Sequence, residues 1–125
     1  MALAKEVMMG GFSAGQAQAL NGGYNALAAA GSTITDATAI TASNHVVSAA
    51  DGTKGVKLVG NIGDSCRLFN NSASTLKVYP GSSSEAICVP GTGLGSGGAA
   101  YSHTTYAVVE YTKITATQWL VVKSA

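Results

Sequence analysis

Residues 56–79 read VKLVGNIGDSCRLFNNSASTLKVY, and the fold turns on how this stretch is read. Val56-Lys57-Leu58-Val59, Cys66-Arg67-Leu68-Phe69 and Leu76-Lys77-Val78-Tyr79 repeat one shape at ten-residue intervals: apolar, cation, apolar, apolar. A looser fourth copy follows at Ala86-Ile87-Cys88-Val89. Residues two apart in a strand share a face. Val56, Leu58, Cys66, Leu68, Leu76 and Val78 then form one wholly apolar face, which reads as core. The other face pairs Lys57 with Val59, Arg67 with Phe69 and Lys77 with Tyr79. Long cationic stems can lie over such rings while their heads reach water. Tyr beside Arg is also an interface composition, so Arg67, Phe69 and Tyr79 are candidates for contact with another subunit. Ile87 and Val89 continue the apolar face only after a one-residue shift, which implies a bulge or a change of register.

Polar turn clusters separate the copies: GNIGDS (60–65), NNSAS (70–74) and GSSS (81–84). Short strands joined by short polar turns at regular spacing predict antiparallel hairpins. A ten-residue period also suits a solenoid. Solenoid coils usually take more residues, however, and the regularity stops before the C-terminal third, so hairpins are the preferred reading. Further β-forming segments are STITDATAIT (32–41), NHVVSA (44–49), TTYAVVEYTKI (104–114) and ATQWLVVKSA (116–125). Residues 32–125 are therefore expected to form a mainly β domain, an antiparallel β-sandwich or jelly-roll-like fold.

Residues 1–31 differ in kind. They are rich in Ala and Gly and hold all three methionines. SAGQAQALNGGYNALAAAG (13–31) could form a helix capped by Ser13 and ended by Gly31, broken by Gly22-Gly23. The segment reads as an N-terminal arm or broken helix. Its large apolar groups are Phe12, Leu20, Tyr24 and Leu27, the last three at i, i+4, i+7 on one helical face. That face either covers the chain's own sheet or reaches a neighbouring subunit.

The chain has 125 residues, which suits one core, and only 10% are charged, with a net charge of +1. A nucleic-acid partner would call for an excess of Lys and Arg, so none is expected. So neutral a surface of Ser, Thr, Asn and Gly favours self-association. No apolar run approaches the length of a membrane helix, and Gly10-Gly11 interrupts the apolar start as a secretory signal would not allow. A soluble protein made in the cytoplasm, with no membrane partner, is the expectation. Cys66 and Cys88 are too few for a disulfide framework and form no zinc spacing.

No catalytic pattern emerges. His45 and His103 stand apart, and His45 reads as a surface or turn residue. GDSC (63–66) lies in a turn, where Asp64 and Ser65 would bond the local backbone. GTGLGSGG (91–98) resembles a phosphate loop only in its glycines, since β-forming residues follow it and no Gly-Lys-Ser/Thr ending is present. Asp36 and Asp51 lack calcium-loop spacing. A non-enzymatic protein with no cofactor and no metal is expected.

Gly55-Val56-Lys57-Leu58, Leu68-Phe69-Asn70-Asn71-Ser72-Ala73, Leu76-Lys77-Val78-Tyr79-Pro80 and the closing Ala116-Thr117-Gln118-Trp119 together resemble a pattern of virion structural proteins of tailed bacteriophages. The resemblance covers about residues 38–123 and is one of strands and turns. It is similar above all to head decoration, or cement, proteins. It implies a protein of the capsid surface that binds the major capsid protein, commonly as a homotrimer, and stabilises the head. On that reading Phe12, Leu20, Tyr24 and Leu27 would make arm or capsid contacts. The alternative implied is a tail-fibre or tail-associated receptor-binding module, with Tyr101, Tyr106 or Trp119 meeting a glycan.

Overall fold

A computed structural model describes residues 25–89 and 97–123. Ten strands follow in order: β1 (Asn25–Ala28), β2 (Thr38–Ala39), β3 (Asn44–Ser48), β4 (Gly55–Lys57), β5 (Ser65–Asn70), β6 (Leu76–Tyr79), β7 (Ala86–Cys88), β8 (Tyr101–His103), β9 (Val108–Thr115) and β10 (Gln118–Lys123). The fold is mainly β, as expected, and no helix occurs among the described residues. A six-stranded sheet has the order β1-β3-β5-β9-β10-β7, and a four-stranded sheet the order β2-β4-β6-β8.

The pairing corrects the hairpin reading. Both sheets are mixed, with β1, β3 and β5 parallel in one and β2, β4 and β6 parallel in the other. From β1 to β6 the chain changes sheet at every strand. The ten-residue copies are thus half-coils: β4, β5 and β6 do not pair with their immediate successors. Val56 on β4 faces Val78 on β6, and His45 on β3 faces Leu68 on β5. A full coil takes roughly twenty residues, which is a solenoid repeat of ordinary size. GNIGDS, NNSAS and GSSS are corners between sheets rather than hairpin turns. A hairpin favours two residues in a primed turn, whereas these clusters must bridge the ~10 Å between facing sheets. The corner at Asn61–Asp64 closes with Asp64 N–H donating to the Asn61 carbonyl (3.0 Å) and Asn61 N–H donating to Asp64 Oδ2 (2.8 Å). Gly63 supplies its positive φ of 92°. Asp64 therefore does bond the local backbone as its place in the sequence suggests.

After β6 the coil pattern is interrupted. The β9–β10 hairpin lies between β5 and β7, antiparallel to β5 and parallel to β7. β8 borders β6 antiparallel. The inner residues of both sheets form one core: Leu58, Leu76 and Val78 from one side meet Leu68, Tyr111 and Trp119 from the other. Each aliphatic side chain so buried contributes about 1.5–3 kcal/mol. The apolar face read from 56–79 is this core, and Ile87 joins it, opposite Trp119, with the one-residue shift the sequence implies.

Residues 1–24 lie outside the described residues. Residues 25–28, placed within the helix-like arm by sequence, are instead strand β1, with Ala26 facing Val46 and Leu27 facing Val47. Leu27 points inward and packs against the core. The run NALA has no polar alternation to mark it as a strand, and pairing with β3 overrides its helical propensity.

Candidate functional site

A buried polar cluster lies under the end of the six-stranded sheet where β8 leads to β9. Asn70 is the last residue of β5 and is fully buried. Its Nδ2 donates to the carbonyls of Ser74 (2.8 Å), His103 (3.3 Å) and Thr104 (3.3 Å), and Ser72 Oγ donates to its Oδ1 (2.8 Å). His103 ends β8 and is also fully buried. Its Nε2 lies 2.7 Å from the Ala107 carbonyl and its Nδ1 2.9 Å from the Tyr111 hydroxyl. A carbonyl only accepts, so Nε2 carries the proton and Nδ1 accepts from Tyr111. Burial pulls the imidazole below its ordinary value of 6.5, the Ala107 bond opposes this, and the charge of Lys123 adds to the lowering.

This cluster holds the turn Thr104–Ala107. Ala107 N–H donates to the Thr104 carbonyl (3.3 Å), and Asn70 N–H donates to the Ala107 carbonyl (3.1 Å). The turn is locked from beneath by groups with no access to water. At its tip Tyr106 has φ of 53°, a left-handed conformation uncommon for a bulky residue, and it is 61% exposed.

The turn leads onto the outer face of the six-stranded sheet. An apolar row crosses four strands there: Ala26 faces Val46, Val46 faces Phe69, and Phe69 faces Val108. Val108 is 40% exposed. The next row runs Asn44, Arg67, Glu110 and Val122. Together Asn44, His45, Val46, Arg67, Phe69 and Val108 line a shallow depression of about 290 Å³. His45 corrects its sequence reading: it is 2% exposed, and its Nε2 accepts from the N–H groups of Thr41 (3.1 Å) and Ala42 (3.0 Å).

The candidate contact residues are thus divided. Arg67 and Phe69 share the depression. Tyr79 lies on the other sheet, because consecutive half-coils face opposite ways. Its ring presses on Gly55, where an added Cβ would come within 2.7 Å of Cε2, and its hydroxyl donates to the Ser32 carbonyl (2.9 Å). Phe12, Leu20 and Tyr24 lie outside the described residues. Of the three aromatics considered for glycan contact, Trp119 is buried and Tyr101 packs against the core, which leaves Tyr106 as the exposed one.

The remaining charged cluster is a staple. Lys113 and Glu85 pair at 3.1 Å, Trp119 Nε1 donates to Glu85 Oε1 (2.9 Å), and Lys113 Nζ donates to the Gly60 carbonyl (3.0 Å). Burial acts to raise the Glu85 carboxyl, but hydrogen bonds from Trp119, Lys113 and Ser82 and the charge of Lys113 outweigh it and hold the group below its ordinary value. Cys66 and Cys88 are free and buried, and burial, with the Glu110 charge, pushes the Cys66 thiol up to about 12. Among the described residues no three His, Cys, Asp or Glu side chains gather as a metal site would need.

Sequence reasoning missed the Asn70–His103–Tyr111 cluster and the conformation of Tyr106. Thr104-Thr105-Tyr106-Ala107 contains none of the Gly, Asn or Asp that mark positive φ. Comparison with family models, with curated proteins and with solved structures finds no match.

Proposed function

We propose that this chain is a virion structural protein of the capsid-decoration kind, binding the outer shell of a phage head and acting through surfaces rather than chemistry. The supporting observation is where the resembling segments fall. Gly55–Leu58, Leu68–Ala73 and Leu76–Pro80 carry three successive half-coils, and Ala116–Trp119 carries the turn into β10. The resemblance thus lies on the framework of the fold, and the outer face is left for contacts. Self-association, with the homotrimer as the expected form, belongs to this reading, since several weak contacts on one assembly give strong joint binding.

The test is location and effect in particles. Antibody-labelled electron microscopy of intact virions should place the protein on the head. Heads lacking it should rupture at lower temperature and recover when purified protein is added. A tail location would replace this reading with the receptor-binding one, for which the exposed ring of Tyr106 is the favouring observation. In that case glycan binding should be lost in Tyr106→Ala.

A further inference from the structure

The two sheets treat their cations differently. On the six-stranded sheet the register sets Arg67 opposite Glu110, and Lys113 pairs with Glu85. On the four-stranded sheet the outward positions are Ala39, Gly55, Lys57, Lys77, Tyr79 and Ser102, alternating with the buried Val56, Leu76 and Val78. Two of these are lysines and none is an acid. Lys77 Nζ donates to a neutral group, the Ser102 hydroxyl (3.2 Å), and Lys57 has no ion pair among the described residues. The acids at the border are engaged locally: Asp51 Oδ1 accepts from the Thr53 and Lys54 amides, and Asp36 Oδ1 from the Ser32 and Thr33 amides. Gly55 lies opposite Lys77 and Tyr79 opposite Lys57, so the two lysines are diagonal neighbours. Like charges on neighbouring strands repel, and nothing on the face offsets that.

A fixed ring lies between the two lysines. Tyr79 leans over Gly55, as its contact with any Cβ added there shows, and its hydroxyl is tied to the Ser32 carbonyl (2.9 Å). The ring therefore runs along one diagonal of the four residues, and the lysines stand at the ends of the other. We infer that this face docks an acidic protein surface, with carboxylates taken by Lys57 and Lys77 on either side of the Tyr79 ring. It is the face that the decoration reading would turn to its shell, but it rests on the charge and geometry of the sheet alone.

Charge and spacing select the occupant. A face with two unmatched cations and no acid complements carboxylates and opposes a basic partner. Diagonal neighbours in a sheet lie roughly 7–8 Å apart, and acids two apart on an extended segment project from one side at about 7 Å. The ring between the lysines offers apolar surface to the stems of those acids. A nucleic acid fits less well. Its phosphates would run on past the lysines over Ala39 and Ser102, which neutralise nothing, and a net charge of +1 gives no wider attraction.

Titration of the full chain at pH 7 and low salt, followed by amide NMR shifts, tests this. The probes are a peptide of alternating Glu and Thr, about ten residues long, and single-stranded DNA of equal charge. The peptide should shift the amides of β4 and β6, and the binding should weaken as salt is added. Lys57→Gln and Lys77→Gln should each weaken it about threefold, and the double variant about tenfold. Lys123→Gln removes the same charge from β10, on the other sheet, and should leave binding within about a factor of two of wild type. All of these positions are on the surface, so the variants should melt with wild type. A peptide that shifts nothing on β4 and β6, a Lys123→Gln chain that loses as much as Lys57→Gln, or DNA that binds the same residues as tightly would each overturn the inference. Head binding by wild type, measured alongside, reports on the decoration reading, so the two failures are distinguishable.

Discussion

Between residues 25 and 79 the chain stacks coils, each strand lying parallel to the one a coil earlier and the two sheets filled in alternation. Between residues 86 and 123 it does something else: a hairpin enters the six-stranded sheet and separates β7 from β5. The coils are held by aliphatic side chains and corner turns. The inserted region is held by Trp119, Tyr111, the Lys113–Glu85 pair and the His103 cluster. Repetition supplies cohesion through sameness of packing, whereas a single insertion depends on large rings and buried polar bonds.

The sharpest way to break that contrast is Trp119→Ala. Loss of a fully buried ring, and of the hydrogen bond to Glu85, is expected to cost about 3–5 kcal/mol in urea denaturation. Leu27→Ala, on the first coil and only partly buried, should cost nearer 1 kcal/mol. Equal losses would show that the inserted region is no more dependent on its rings than the coils are on theirs. Asn70→Ala comes next. It strips the carbonyls of Ser74, His103 and Thr104 of a donor at the junction of the two regions, and about 2–3 kcal/mol should be lost.

Acid should act on the inserted region before the coils. His103 is held neutral in the folded chain, while the unfolded chain protonates near 6.5. Its contribution is complete above that pH and is lost as pH falls through the lower folded value, so unfolding free energy should decline from pH 7 towards pH 5. A flat profile there would remove His103 from the account. Tyr106→Gly should change stability by no more than about 1 kcal/mol, towards greater stability, since relief of strain opposes the freedom glycine gains when unfolded. The smallest effect is expected at Asp51, an exposed group in the coil region. Bonds from the Thr53 hydroxyl and the Lys54 and Thr53 amides lower its carboxyl from 3.8 to about 2. Its contribution is present above 3.8 and is lost as pH falls through about 2, and Asp51→Asn should flatten only that part of the profile.

The inward residues of the repeat could be read from the sequence, because the two-residue pleat is the same for a hairpin and for a half-coil. Val56, Leu58, Cys66, Leu68, Leu76 and Val78 are all buried for that reason. Strand partners could not be read so, since both arrangements give ten-residue spacing. The clue lay in the corners: GNIGDS and NNSAS are longer than a tight hairpin needs and contain no Asn-Gly. The division of Arg67 and Phe69 from Tyr79 follows from that one ambiguity. β1 was hidden by an Ala-rich run whose local preference is helical, and Asn70 and His103 by chemistry that depends on partners more than thirty residues apart or across a turn. Tyr106 carried a signal of type, an aromatic in a β-forming run, but none of conformation.

The insertion of β9 and β10 also separates the order of synthesis from the order of assembly. Coils from β1 to β6 can stack as the chain emerges, each new strand finding its neighbour already made. β7 emerges next, yet its partner is β10, some thirty residues later, and β5 also waits for β9. Both open edges, and the core face between them, stay unfilled until β9 and β10 have left the ribosome. A chain halted short of residue 108 would therefore be an adhesive fragment, with strand edges ready to pair with other chains. Arrival of the β9–β10 hairpin is thus itself a safeguard against premature aggregation.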